Sequence, residues 1–148
     1  MTRGRTDTPL MQRAQKYATK LHVAVFKATK GRVGARMLGS PVLILVTRGR
    51  KSGLPRETPL LYLEDEAGLA IVASNGGTAK APAWYLNLES DPNAEVVLGG
   101  ERFRTVARDV TGEEKRRLWG RLVAMYPTYA DYQKKTEREI PVVLLKRA

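Results

Sequence analysis

From Pro41 to Val46 the chain reads PVLILV, with no polar residue in it. A strand with one wet face alternates apolar and polar residues, so a run this continuous belongs to a strand covered on both faces. It leads directly into Thr47 to Leu60, TRGRKSGLPRETPL, where Arg48, Arg50, Lys51 and Arg56 face only Glu57 in opposition. Two glycines and two prolines punctuate that stretch. From Arg56 to Leu63 the pattern alternates. Arg56, Thr58, Leu60 and Tyr62 share one face, and Glu57, Pro59, Leu61 and Leu63 share the other. A buried strand, a cationic turn and a returning strand are the first elements the sequence predicts.

The remaining strands are short and separated by tight turns. EDEAG predicts a turn, and Leu69 to Ala73 a third strand closed by SNGG. Val96–Leu98 and Arg102–Arg108 predict a hairpin around Gly99-Gly100. IPVVLL supplies a sixth strand. Pro82 to Leu88 predicts a short helix with proline at its start. Thr111-Gly112-Glu113-Glu114 fits a capping box, and Leu118, Trp119, Leu122 and Val123 give the buried stripe of the helix that follows. A second short helix is expected from Thr128 to about Arg138. Near the N-terminus, Leu10, Ala14, Tyr17, Ala18, Leu21, Val25 and Ala28 recur at helical spacing. Arg13, Lys16, Lys20 and Lys27 lie largely off that stripe. Short strands, tight turns and few long helices favour an α+β, mainly β fold: a six-stranded, mostly antiparallel barrel with flanking helices. The expected division is a basic amphipathic helix and tail over 1–30 and a barrel domain over 31–148.

The 148 residues suit one core. With no cysteine, disulfides, thiolate metal sites and cysteine nucleophiles are excluded, and a cytoplasmic location is expected. The single histidine, His22, cannot build a histidine metal cluster, and no metal site is expected. Net charge is +11, and the first 36 residues hold nine Lys or Arg against one Asp. That balance favours anionic partners. Nucleic acid is suggested by charge alone, without a helix-turn-helix, zinc or aromatic RNP motif. The N-terminal helix is expected either to pack on the barrel or a partner, or to lie peripherally on an anionic membrane at its inner face. No apolar run reaches the roughly 20 residues needed to span a bilayer.

Three features carry chemistry. In GRKSG, Gly49 and Gly53 allow a sharp turn, while Arg50, Lys51 and Ser52 offer charge and a hydroxyl to a phosphate or carboxylate. A solvated hairpin turn is the plainer reading, and Arg56 and Thr58 on the next strand argue against it. ASNGG at 73–77 is a second glycine-rich turn. Trp84 and Asn87 sit one helical turn apart, suited to a planar heterocycle or, for the tryptophan, to the core. Tyr126, Tyr129 and Tyr132 repeat every three residues, either packing on the barrel or lining a pocket. There is no Ser/His/Asp set and no paired carboxylates with an obvious geometry, so a cofactor is expected to carry the difficult step.

Taken together, TRGRKSGLPRETPLLYL, IVASNGG, APAWYLNLESDPNAEVVLGG, RTVARDVTGEEKRRLW and YPTYADYQKKTEREIPVVLL occur in an order and spacing that resemble the deazaflavin-dependent nitroreductase family of actinobacteria. The resemblance runs from about Gly31 to Leu145. It implies a split β-barrel of the flavin-mononucleotide-binding type. It also implies coenzyme F420, an 8-hydroxy-5-deazaflavin with an anionic phospholactyl oligoglutamate tail, in preference to FMN. On the family pattern Arg50, Lys51 and Ser52 would hold phosphate and tail, with Arg56 helping. Thr58, Pro59 and Leu60 would border the deazaflavin. Ala73, Ser74, Asn75 and Gly76 would meet its ring or ribityl chain, and Trp84 and Asn87 would close the far side. Tyr126, Tyr129 and Tyr132 would line the substrate side. Asn75 stands where family members often have lysine, and Arg48 where threonine is commoner.

The activity so implied is hydride transfer from F420H2 to a planar electrophile: a quinone, an enone or a nitroaromatic. Tyr129, then Tyr132, is the expected proton or hydrogen-bond donor. A non-catalytic F420 carrier is the alternative.

Overall fold

The computed structural model describes residues 36, 37 and 40–148. The expected N-terminal helix and most of the connector after it lie outside the described residues. The observed strands are β1 (Arg36–Met37), β2 (Ser40–Arg48), β3 (Pro55–Leu61), β4 (Leu63–Asp65), β5 (Gly68–Val72), β6 (Asn93–Leu98), β7 (Glu101–Asp109) and β8 (Val142–Arg147). Among the described residues three helices flank them: α1 (Ala83–Ser90), α2 (Gly112–Met125) and α3 (Thr128–Lys134). The strands run β1-β2-β6-β7-β8-β5-β4, with β3 on the other edge of β2. All paired neighbours are antiparallel.

The apolar run explains its own place. β2 is paired on one side to β3 and on the other to β6. Val42, Leu43, Ile44 and Leu45 are each at most 1% exposed. Leu43 and Leu45 join the main core with Ile71, Ala73, Trp84, Leu88 and Val96, and Leu60 of β3 and Tyr62, between β3 and β4, pack against it. The opposite face of β5 builds a second core, in which Ala70 and Val72 meet Leu118, Leu122 and Tyr129 of the two later helices. Strand alternation thus splits β5 between two cores.

Six strands are expected, and eight are found among the described residues. The two-residue β1 was not foreseen. β4 takes up part of the expected EDEAG turn, which shrinks to Glu66-Ala67 because Asp65 pairs with Gly68. The Ala67 N–H donates to the Asp65 carboxylate at 3.1 Å and closes that turn locally. The expected hairpin is present: Leu98 faces Glu101, and Gly99 and Gly100 take φ of 59° and 83°. Positive φ at both central residues matches the twist of the flanking strands, and glycine adopts it without steric cost.

Two helix expectations need correction. α2 begins where expected, but Thr111 makes no side-chain cap bond. Glu114, the other half of the expected box, instead accepts two bonds from Arg108, at 2.8 and 2.9 Å. The two acidic residues in the first turn still favour the helix N-terminus electrostatically. α3 stops at Lys134, not near Arg138. Gln133 draws the chain out of the helix: its Nε2 donates to Arg138 O at 2.9 Å, and its Oε1 accepts from the Ile140 N–H at 3.0 Å.

Candidate active site

The cationic turn is built tightly. The Gly49 N–H donates to Leu54 O, and the Gly53 N–H to Gly49 O, each at 2.8 Å. Ser52 Oγ accepts from the Leu54 N–H at 3.1 Å and from Arg56 Nη2 at 3.3 Å. Ser52 therefore ties Arg56, on the next strand, to the turn. Arg50, Lys51 and Arg56 are exposed, and among the described residues no carboxylate pairs with them. Elsewhere Arg102, Arg108, Lys115, Arg116, Arg117, Arg121 and Arg147 all form ion pairs. Cations without a carboxylate partner among the described residues, on a fixed turn, suit a mobile anion, so the donors present fit the phosphate and carboxylates of F420.

Asn87 lies behind this turn and is 4% exposed. Its Oδ1 accepts the main-chain N–H of Arg50 at 3.1 Å and Arg50 Nη1 at 3.5 Å. Its Nδ2 donates to Thr47 Oγ1 at 3.1 Å. Both ends of the amide are engaged within the chain, so what Asn87 does here is brace α1 against the end of β2. Trp84 is buried in the main core, edge-on to Tyr85 with ring centroids 6.2 Å apart. Of the two readings of that tryptophan, the core position is the one observed. Leu60 packs against the same cluster, which also holds Ala73. Thr58 faces Leu45, and Pro59 faces Ile44, across the β2–β3 ladder.

After β5 the chain makes a short 3-10 turn, Asn75–Gly77. Asn75 adopts φ of 47°, the one non-glycine residue with positive φ among those described. Asparagine tolerates that conformation better than most residues. Its Nδ2 donates to Lys80 O at 3.0 Å. Ser74 is half-buried, Asn75 and Gly76 are exposed, and Ala73 is buried.

The three tyrosines form one ring cluster. Tyr126 and Tyr129 stand edge-on at 4.9 Å, and Tyr132 lies 6.5 Å and 6.4 Å from them. Tyr129 is 5% exposed and also contacts Trp119. Burial, then the two neighbouring phenols, raises its pKa well above the usual range. Tyr126 and Tyr132 are half-buried. Burial and a hydrogen bond with Tyr126 push the Tyr132 phenol up to about 12. Both groups keep their protons at neutral pH.

The expected residues thus fall into three clusters. The cationic turn joins α1 through Asn87. Loop 73–78 joins α3, because Gly77 lies against the backbone of Tyr132: a Cβ on Gly77 would stand 2.6 Å from Tyr132 O. The tyrosines pack with the second core, whereas Ala73 and Trp84 belong to the first, so the two sets sit on opposite faces of β5 and approach each other at that loop. Sequence reasoning missed Arg138, which binds three carbonyls of the loop, because the residues involved lie 60 to 65 positions apart.

Residues 18–147 match the family model of F420H(2)-dependent quinone reductases. An F420H(2)-dependent quinone reductase of Mycobacterium tuberculosis is 40% identical over 132 residues, spanning 86% of this chain and 89% of that protein. Among solved structures, an F420-H2 dependent reductase superposes with a TM-score of 0.66 at 40% identity, covering 72% of this chain and 94% of that one. A domain-swapped dimer superposes at 0.69 with 34% identity, covering 90% and 99%. A heme storage protein from Vibrio cholerae, at 0.57 and 15% identity over 72% of this chain and 81% of its own, shares the fold alone. The architecture is therefore the expected split barrel, and the chain belongs to the F420H(2)-dependent quinone reductase family.

Proposed function

We propose that this chain reduces a quinone with F420H2, and that its cationic turn holds the anionic tail of the cofactor. When bound, reduced F420 supplies the hydride. The observation that carries the reading is the set Arg50, Lys51 and Arg56, which pair with no carboxylate among the described residues, on a turn braced from beneath by Asn87. Arg50 and Lys51 bind the phosphate and the first carboxylates, and Arg56, linked through Ser52, extends the positive surface. Thr58, Pro59 and Leu60 border the ring from β3, while Ser74, Asn75 and Gly76 offer main-chain N–H groups and a hydroxyl from the loop. Trp84 backs the site as a packed wall.

On the substrate side Tyr126 and Tyr132 retain exposure, and Tyr129 supports them from the core. Their rings orient a planar quinone, and the Tyr132 hydroxyl donates to the oxygen that accepts charge. The quinone gains a hydride and a proton and leaves as the hydroquinone. Enones and nitroaromatics have the same planar, electron-poor character and are secondary substrates in this reading. Among the described residues no helix is long and apolar enough to cross a membrane. For residues 1–30, the concentration of positive charge supports docking on an anionic surface where quinones dissolve, which cosedimentation with anionic but not neutral vesicles would reveal.

The test is hydride transfer to menadione with F420H2, FMNH2 or NADPH as donor. The reading requires turnover with F420H2. Turnover confined to the other two donors would remove the cofactor assignment. Tight F420 binding without turnover on quinones, enones or nitro compounds would make the chain a carrier instead.

A further inference from the structure

Arg138 lies in the connector between α3 and β8 and directs its guanidinium to a single loop. Its Nε donates to Thr78 O at 2.9 Å. Its Nη1 and Nη2 donate to Ala73 O at 3.2 Å each, and Nη2 also to Ser74 O at 2.7 Å. These carbonyls flank the Asn75–Gly77 turn on both sides. That turn holds three consecutive residues of positive φ, at 47°, 67° and 80°. No β ladder covers a segment of this shape, so its geometry depends on the groups that grip its ends. Among the described residues no carboxylate pairs with Arg138, which leaves its charge uncompensated beneath the loop.

We propose that Arg138 is a positioning residue of the cofactor site: it fixes loop 73–78 so that the loop's N–H groups and the Ser74 hydroxyl face the deazaflavin. The inference rests on the F420-binding reading above. Peptide planarity supplies the mechanism. In a trans peptide the C=O and the attached N–H lie in one plane and point in opposite directions. Arg138 holds the carbonyls of Ala73 and Ser74, and so the N–H groups of Ser74 and Asn75 turn away from it. Gly77 sets the other boundary by resting on Tyr132, so the grip of Arg138 also sets the spacing between the loop and the tyrosines of α3. Arginine is required because a planar fork reaches three carbonyls at once, where the point charge of lysine reaches fewer.

The experiment is an absorbance titration of oxidised F420 into the full chain, its Arg138→Met variant and its Arg138→Lys variant. Each is held well below its own melting midpoint, recorded in parallel. The wild type is expected to saturate. Arg138→Met should bind about tenfold more weakly or worse, equivalent to about 1.4 kcal/mol, with Arg138→Lys between the two. A residue that only supported the fold would lower the melting midpoint and leave affinity unchanged at low temperature. Equal affinity in the folded variants therefore overturns the proposal. If Arg138→Met does not fold, Arg138→Lys, which keeps the charge and the alkyl stem, decides the question by the same comparison. A wild-type chain that fails to bind F420 overturns the underlying reading, an outcome distinct from wild-type binding with unaffected variants.

Discussion

Asn87 Oδ1 accepts the main-chain N–H of Arg50 at 3.1 Å, joining α1 to the cationic turn across 37 positions of sequence. The amide is buried, and its other end donates to Thr47 Oγ1. Asn87→Leu would leave a main-chain donor and a hydroxyl without partners, at a cost of about 1–3 kcal/mol each if no water replaces the amide. Both the melting midpoint and F420 affinity should fall. Asn87→Asp keeps an acceptor for Arg50 and lets the Thr47 hydroxyl donate instead, so it should be milder. Loss of stability in Asn87→Leu without loss of F420 affinity would show that the turn does not need this brace.

Lys51 is exposed, so Lys51→Ala should leave the melting midpoint within about a degree of wild type, as exposed substitutions away from special features do. It should weaken F420 binding about tenfold, since a charge-assisted contact is worth roughly 1.5–3 kcal/mol. Turnover at saturating F420H2 should change less than affinity. Unchanged binding would remove Lys51 from the site.

The tyrosines predict an order of effect. The activity that the family resemblance implies puts Tyr129 first as donor, whereas its burial in the second core favours Tyr132. Tyr132→Phe should lower turnover with menadione more than Tyr129→Phe, and neither should shift F420 affinity much. With its phenol pushed up to about 12, Tyr132 should contribute no pH dependence to turnover between roughly pH 6 and 9. A larger turnover loss in Tyr129→Phe would restore the original order.

Asp65 links β4 to α2. Its side chain, 5% exposed, meets Arg117 at 2.9 Å and Arg121 at 2.7 Å. The Arg117 hydrogen bond first, then the Ala67 N–H, hold its pKa down to about 2, from 3.8. A depressed folded-state pKa means that its stabilisation is fully present above the unfolded value and is lost as pH falls through the folded one. Wild type should therefore melt a few degrees above Asp65→Asn at pH 6, with the gap closing between about pH 4 and about pH 2. A gap that persists at pH 2 would assign the effect to packing.

The sequence made one kind of information legible and hid another. The unbroken apolar run placed β2 between two partners, the paired glycines placed the β6–β7 hairpin, and alternation in β3 correctly separated Leu60 and Tyr62 from Leu61 and Leu63. These signals are local or periodic. The bracing role of Asn87, the grip of Arg138 and the burial of Trp84 depend on contacts between distant segments that no spacing encodes. The capping box failed for a similar reason: Arg108, on a neighbouring strand, competes for Glu114 more strongly than a helix end does. Tyr129 was legible as part of a cluster, but its depth was not.

If Arg50, Lys51 and Arg56 grip the anionic tail of F420, affinity for F420 must exceed affinity for the same deazaflavin riboside lacking phosphate and glutamates. F420 should bind at least about tenfold more tightly at low salt, as one charge-assisted contact alone would give, and the difference should shrink with added salt and in Lys51→Ala. Equal affinity for the two molecules at low salt would contradict it.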